Sequence, residues 1–283
     1  LHRGKNMNRI NQAFQKNKSQ GNGLLIGYIM AGDPKPKLTA QIADALINGD
    51  VDILELGLPF SDPIADGPTI QAASVRALSA GTTPMKVLQI AKEIKSRHDI
   101  PIVVMTYYNP VFRLGLENFL GSAKDCMVDG VIVPDLPVEE AHDYKKAANK
   151  YDLDTIFLAA PSTSNARLNK IVDFSSGFLY LVSHFGVTGA KTTVEDSTVE
   201  LIKRVLPFTA GKIPLAVGFG ISKPEHVQRI IQAGADAAIV GSAFINIIQK
   251  HQENIDAMLK KLEVTARKLK EATKPIRPEK ISP

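Results

Sequence analysis

The chain of 283 residues has 44% hydrophobic side chains, a net charge of +5 and a single cysteine, Cys126. That is enough length and apolar content for one large α/β domain, and one cysteine excludes an internal disulfide framework or a cysteine-built zinc site. The basic residues gather at the two ends (Arg3, Lys5, Arg9, Lys16, Lys18; Lys260, Lys261, Arg267, Lys268, Lys270) without aromatic interleaving, which reads as solvated helix faces and a field favouring a phosphorylated ligand, not a nucleic-acid surface.

Residues 1–6 are expected to be an N-terminal extension, disordered or expression-derived, with Met7 as the natural start. Residues 7–272 read as one barrel domain and 273–283 as a tail, whose KPIRPEKISP is expected to be disordered. No apolar run approaches a membrane span, and the opening LHRGKN is polar with no apolar segment behind it, unlike a secretory leader. A cytoplasmic location is the default expectation.

In chain order, a helix is predicted over 7–17. Short apolar runs then alternate with amphipathic stretches. Strands are predicted over 24–30, 52–56, 102–107, 130–133, 155–159, 178–183, 215–219 and 237–240, with helical periodicity over 84–95, 138–150 and 225–233 and a closing helix over 255–272. Strands alternating with helices pair in parallel through right-handed crossovers. Eight such units fit an α/β fold, a single (β/α)8 TIM barrel with an extra N-terminal helix and a C-terminal helix. The alternative, an open doubly wound sheet, lacks its usual signature, because the first strand runs into MAGDPKP and no G-x-G-x-x-G follows.

The second strand raises a chemical question. In ILELGLPFSDPIADGPTIQAA a glutamate, Glu55, interrupts an apolar run that should be buried, and burying a carboxylate is costly unless it is paired or used. If Ile53 faces the barrel interior, so do Glu55 and Gly57. Glu55 then stands at the top of the barrel, where active sites form, with a structural glutamate hydrogen-bonded to a neighbouring strand or loop as the alternative. In the loop beyond, Asp62 before Pro63 reads as a turn former. Asp66 is open between a turn or cap role and a place over the barrel mouth beside Glu55. Two carboxylates in different environments can divide acid and base roles.

A second cluster lies at the tops of the last three strands, in SHFGVTGAK (Gly186, Gly189), VGFGIS (Gly218, Gly220) and VGSAF (Gly241, Ser242). Glycine lets backbone N–H groups approach an anion, and a helix N-terminus adds its dipole, so a phosphate is expected here. Ser242 is expected to supply a hydroxyl and cap the helix. His184 reads as a packing or hydrogen-bonding residue. The stretch SHFGVTGAKTTVEDST is long enough for a lid, and Thr192 or Thr193 is expected to cap the next helix.

These motifs, together with GYIMAGDP, MTYYNPVF, VIVPDLPVEE and AAIVGSA in the same order, resemble the tryptophan synthase alpha subunit family over residues 8–269. The resemblance implies retro-aldol cleavage of indole-3-glycerol phosphate to indole and glyceraldehyde 3-phosphate, with Glu55 and Asp66 catalytic. It implies phosphate contacts at Gly189, Gly220, Gly241 and Ser242, an indole pocket at Tyr28, Tyr107 and Tyr180, and a loop role for Thr188. It further implies an α2β2 assembly with a pyridoxal phosphate-dependent beta subunit that joins indole to serine. No metal or organic cofactor is expected in this chain, and Pro59 and Asp62 are candidate partner contacts. The chain departs from the common pattern at His184, where arginine is frequent, at the bulkier Phe185, and at Tyr28, where phenylalanine is common. Two other readings are a sugar-phosphate isomerase type of barrel, which would not need this carboxylate pair, and a non-catalytic regulatory barrel, which would be expected to have lost Glu55 or Asp66.

Overall fold

The computed structural model describes residues 8–183, 191–218 and 220–275. Its strands are β1 (Leu24–Met30), β2 (Ile53–Gly57), β3 (Ile102–Met105), β4 (Gly130–Ile132), β5 (Asp154–Ile156), β6 (Leu158–Ala159), β7 (Leu179–Val182), β8 (Leu215–Gly218) and β9 (Ala237–Val240). The helices are α1 (Arg9–Ser19), α2 (Pro36–Asn48), α3 (Pro68–Ser79), α4 (Pro84–Lys95), α5 (Tyr108–Leu114), α6 (Leu116–Asp125), α7 (His142–Lys150), α8 (Asn165–Phe174), α9 (Lys191–Thr209), α10 (Pro224–Gln232), α11 (Ser242–His251) and α12 (Ile255–Glu271). None of them, among the described residues, is long and apolar enough to cross a membrane.

All pairings are parallel, in the order β5-β4-β3-β2-β1-β9-β8-β7-β6. The two outermost strands, β5 and β6, are halves of one extended segment. Ile156 pairs with Ile132 of β4, while the Phe157 carbonyl accepts from Tyr180 N–H at 3.1 Å and Leu158 pairs with Tyr180 of β7. The single strand predicted over 155–159 thus changes partner at Phe157, and nine short strands make an eight-stranded barrel. Every residue of β1 and β2 is buried, as both faces of a helix-covered parallel sheet should be.

Local chemistry starts the helices. Pro36, Pro68, Pro84 and Pro224 each stand at the start of a helix, where the missing N–H costs nothing. Asn8, Thr83, Ser164 and Asn254 cap α1, α4, α8 and α12 through their side chains. Several bounds shift by a residue or two from those predicted, and two shifts have a clear local cause. The segment after β3 turns helical at Tyr108, so Tyr107 leaves the strand and becomes the residue that precedes α5. A turn closed by Glu140 N–H to the Pro137 carbonyl delays α7 to His142.

At the N-terminal ends of the strands, aspartates strap neighbours together. The carboxylates of Asp52, Asp129 and Asp236 accept from the N–H groups of Leu25, Ile102 and Leu215, each at 2.8 Å. Asp52 also takes Lys270 Nζ at 2.7 Å and Asn17 Nδ2 at 3.1 Å, which ties α1 and α12 to the base of the barrel. Phe14 of α1 packs against Phe178 at 6.0 Å between ring centroids.

Candidate active site

The register of β1 and β2 builds the upper end of the barrel interior. Tyr28 and Glu55 are Cα partners across the two strands, and both line a cavity of about 120 Å³ shared with Asp66, Met105, Tyr180 and Ile239. A Cβ placed on Gly57 would lie 2.2 Å from Tyr28 Oη, one on Gly218 would lie 2.5 Å from Tyr180 Oη, and one on Gly241 would lie 3.0 Å from Tyr28 Cδ1. These three glycines make the room that the two tyrosine rings fill. Gly27 faces the other way, towards Val51 and Leu46. The inward side of the sheet is therefore Tyr28 on β1 and Glu55 and Gly57 on β2, as strand alternation predicts for Glu55.

Glu55 is wholly buried, and neither carboxyl oxygen has a hydrogen-bond partner among the described residues. The loss of hydration, reinforced by the nearby charge of Asp66, pushes its pKa up to about 8. No bracing contact to a neighbouring strand is present among the described residues, so its polarity faces the cavity.

Asp66 comes from the loop that follows β2. Its N–H donates to the Pro63 carbonyl at 3.0 Å and its carbonyl accepts from Gln71 Nε2 at 2.8 Å, which fixes it one residue before Gly67, the cap of α3. Burial raises its carboxyl to about 6, and a hydrogen bond from Tyr107 opposes the rise. The Tyr107 hydroxyl also accepts from Ala65 N–H at 3.0 Å, and its ring stacks on Phe60 at 5.3 Å. Tyr107 stands behind Asp66 as a brace and is not among the residues lining the cavity.

The cavity runs on to Gly220, Gly241 and Ser242. Gly220 has φ +72°, a conformation that glycine adopts without strain. Gly241, not Ser242, is the residue that precedes α11, and no side chain caps that helix. The expected Ser242 cap is thus corrected. Ser242 is the first helical residue, and the leading N–H groups of α11, which have no intrahelical acceptor, open towards the cavity end. The expected caps Thr192 and Thr193 are corrected likewise, because α9 already begins at Lys191. Gly189, Thr188, Gly186, His184 and Phe185, and with them the predicted lid, lie outside the described residues.

Of the two proposed contact residues, Asp62 is exposed and takes a hydrogen bond from the Ser61 hydroxyl, whereas Pro59 is buried within the chain. Sequence reasoning missed the apolar lining supplied by Met105, Ile70, Ile221 and Ile239. The signal for Ile239 was available in strand alternation, but Ile70 and Ile221 enter from helix and loop positions that carry no periodic mark.

The arrangement offers a neutral buried acid and an ionised carboxylate on one wall, an apolar slot between tyrosines, and backbone donors at the far end. A family model described as tryptophan synthase alpha chain matches residues 14–274. The tryptophan synthase alpha chain of Methanosarcina acetivorans is 50% identical over 262 residues, 93% of each chain. Among solved structures, tryptophan synthase subunit alpha from Legionella pneumophila superposes with a TM-score of 0.86 at 34% identity, covering 94% of this chain and 98% of that one. A structure described as the tryptophan synthase α2β2 complex from Pyrococcus furiosus gives 0.82 at 41% identity, covering 88% and 98%. With the barrel, the buried carboxyl pair and matches that span nearly its whole length, this chain belongs to the tryptophan synthase alpha chain family.

Proposed function

We propose that this chain cleaves indole-3-glycerol phosphate to indole and glyceraldehyde 3-phosphate, as the alpha subunit of a tryptophan synthase. The observation that carries this reading is the split between two carboxyls in one cavity, with Glu55 raised to about 8 and Asp66 to about 6. Between those values Glu55 holds a proton and Asp66 does not, the charge assignment that the reaction requires.

Glu55 gives its proton to carbon 3 of the indole ring. The ring becomes a cation with its charge centred on nitrogen, and Asp66 accepts the ring N–H hydrogen bond and stabilises that charge. The Glu55 carboxylate then takes the proton of the chain hydroxyl next to the ring. The oxygen becomes the aldehyde carbonyl, the carbon–carbon bond breaks, and its electron pair returns to the ring, restoring indole. Glu55 ends protonated, as it began. Tyr28, Tyr180, Met105 and Ile239 form the walls for the ring, and Gly220, Gly241 and Ser242 anchor the phosphate. These steps use no metal and no organic cofactor.

The partner is a beta subunit, which carries the pyridoxal phosphate and receives the indole in an α2β2 assembly. Two large apolar side chains support a docking face around the cavity mouth: Ile64 after β2 is 82% exposed and Phe112 after β3 is 72% exposed, alongside the exposed Asp62. Exposed apolar groups of this size, one on the loop after β2 and one on α5 after β3, suit a protein contact. Release of indole from indole-3-glycerol phosphate, measured with and without the cognate beta subunit, tests the activity. Co-sedimentation at micromolar concentration tests the assembly.

A further inference from the structure

The wall beside Glu55 holds an unused hydrogen-bond donor. Tyr28 is 6% exposed and lines the cavity; among the described residues no hydrogen bond engages its hydroxyl, which is not one of the buried unpartnered atoms and so keeps access to the cavity. Its position is set by register. Tyr28 is the Cα partner of Glu55, the foot of its ring rests against Gly241, and its oxygen reaches Gly57, two residues beyond Glu55 on the same inner face. The ring therefore runs from the phosphate end of the cavity to the carboxyl pair. Burial and then the charges of Asp66 and Glu55 raise its pKa well above that of a free phenol, so it remains a neutral donor.

Of the substrate atoms that change charge in the proposed reaction, the ring carbon and the hydroxyl proton are served by Glu55 and the ring nitrogen by Asp66. The chain oxygen is left. It gains negative charge as its proton moves to Glu55 and before the carbonyl is complete. We propose that the Tyr28 hydroxyl is a further catalytic residue, donating a hydrogen bond to this chain oxygen as it becomes the aldehyde. Tyr180, the other unengaged tyrosine of the cavity, sits over Gly218 on β8, with β1 and β9 lying between β8 and β2. The charge of Glu55 reaches Tyr180 as well, but Tyr28 is the tyrosine on the strand paired with β2, directly opposite Glu55. The inference rests on the lyase reading.

The test compares wild type, Tyr28→Phe and Tyr180→Phe, each with the cognate beta subunit, in indole release from indole-3-glycerol phosphate. It also measures Kd for 3-(indol-3-yl)propyl phosphate, an analogue that lacks both chain hydroxyls. Tyr28→Phe keeps the ring, so the wall stays filled. The expected result is a kcat about tenfold to a hundredfold lower, with KM and the analogue Kd within about threefold of wild type. A kcat within about twofold of wild type overturns the proposal. So does analogue binding that weakens in step with kcat, which would mean that Tyr28 acts through ring packing. A kcat loss found in Tyr180→Phe and absent in Tyr28→Phe overturns it too. Wild type that releases no indole removes the lyase reading itself, and the inference with it; a loss confined to the comparison of variants leaves that reading intact.

Discussion

Burial raises the pKa of Glu55 and the charge of Asp66 adds to the rise, while burial also raises Asp66 and a hydrogen bond from Tyr107 limits that second rise. One hydroxyl behind the site thus helps keep two neighbouring carboxyls apart on the pH scale. Turnover needs Asp66 ionised and Glu55 protonated. The rate is therefore expected to be bell-shaped, falling below about pH 6 and above about pH 8. In Asp66→Asn the repelling charge is gone, so Glu55 should titrate at lower pH, and residual indole release should be on the order of a hundredfold weaker. A pH–rate profile, with NMR titration of the Glu55 carboxyl in both proteins, measures these effects. A Glu55 value that does not move in Asp66→Asn would show that the two do not interact.

Glu55→Gln separates chemistry from stability. The variant should lose on the order of a thousandfold in indole release while retaining affinity for the propyl phosphate analogue. The stability change has a definite sign. The Glu55 pKa is raised in the fold, from 4.5 to about 8, so the protonated carboxyl's contribution is complete below the unfolded value and is lost as pH rises towards the folded one. The glutamine variant has no such loss. Its melting temperature should exceed that of wild type by a margin that grows between about pH 5 and pH 8. A constant or shrinking margin would mean that Glu55 is not buried as a neutral acid.

Gly57→Ala should act through Tyr28. The new methyl would lie 2.2 Å from the tyrosine oxygen, so the ring must move, at a cost of about 1–3 kcal/mol. Gly27→Ala, one strand over and pointing outward, would place its methyl 3.2 Å from the Val51 methyls and should cost about 1 kcal/mol or less. Denaturant melts should show loss in both, greater in Gly57→Ala. Turnover per folded molecule should drop in Gly57→Ala and hold in Gly27→Ala.

Asp52→Ala tests the base of the barrel. The change leaves Lys270 Nζ, whose side chain is 11% exposed, without its carboxylate, and leaves Leu25 N–H without its acceptor. A loss of about 3 kcal/mol is expected. Indole release by the folded fraction should stay near wild type, because the cavity is at the opposite end of the strands.

Much of this was legible in the residues. Alternation along β2 put Glu55 inside the barrel, and helical periodicity placed α4 at its observed bounds. What could not be read was set by contacts distant in sequence. Nothing local says that the segment around Phe157 changes partner, since that depends on β4 and β7 arriving on its two sides. Tyr107 read as the end of a strand, and the resemblance implied a wall residue. Its position behind Asp66 follows from the turn into α5 and from its bonds to a loop some forty residues earlier. The Ser242 cap failed because serine is a good cap by type, yet the chain enters α11 with Gly241 in that place.

The exchange of partners at Phe157 has a consequence for behaviour in a crowded solution. An open sheet ends in two strands with unpaired backbone groups, and such edges recruit other chains. Here the two ends of the sheet are β5 and β6, three and two residues long and separated by one residue. A foreign strand would find no run of free N–H and C=O groups to extend, and could gain a foothold only by prising the barrel apart along a seam that is covalently one peptide. The barrel thus guards against edge-to-edge aggregation through continuity of the chain.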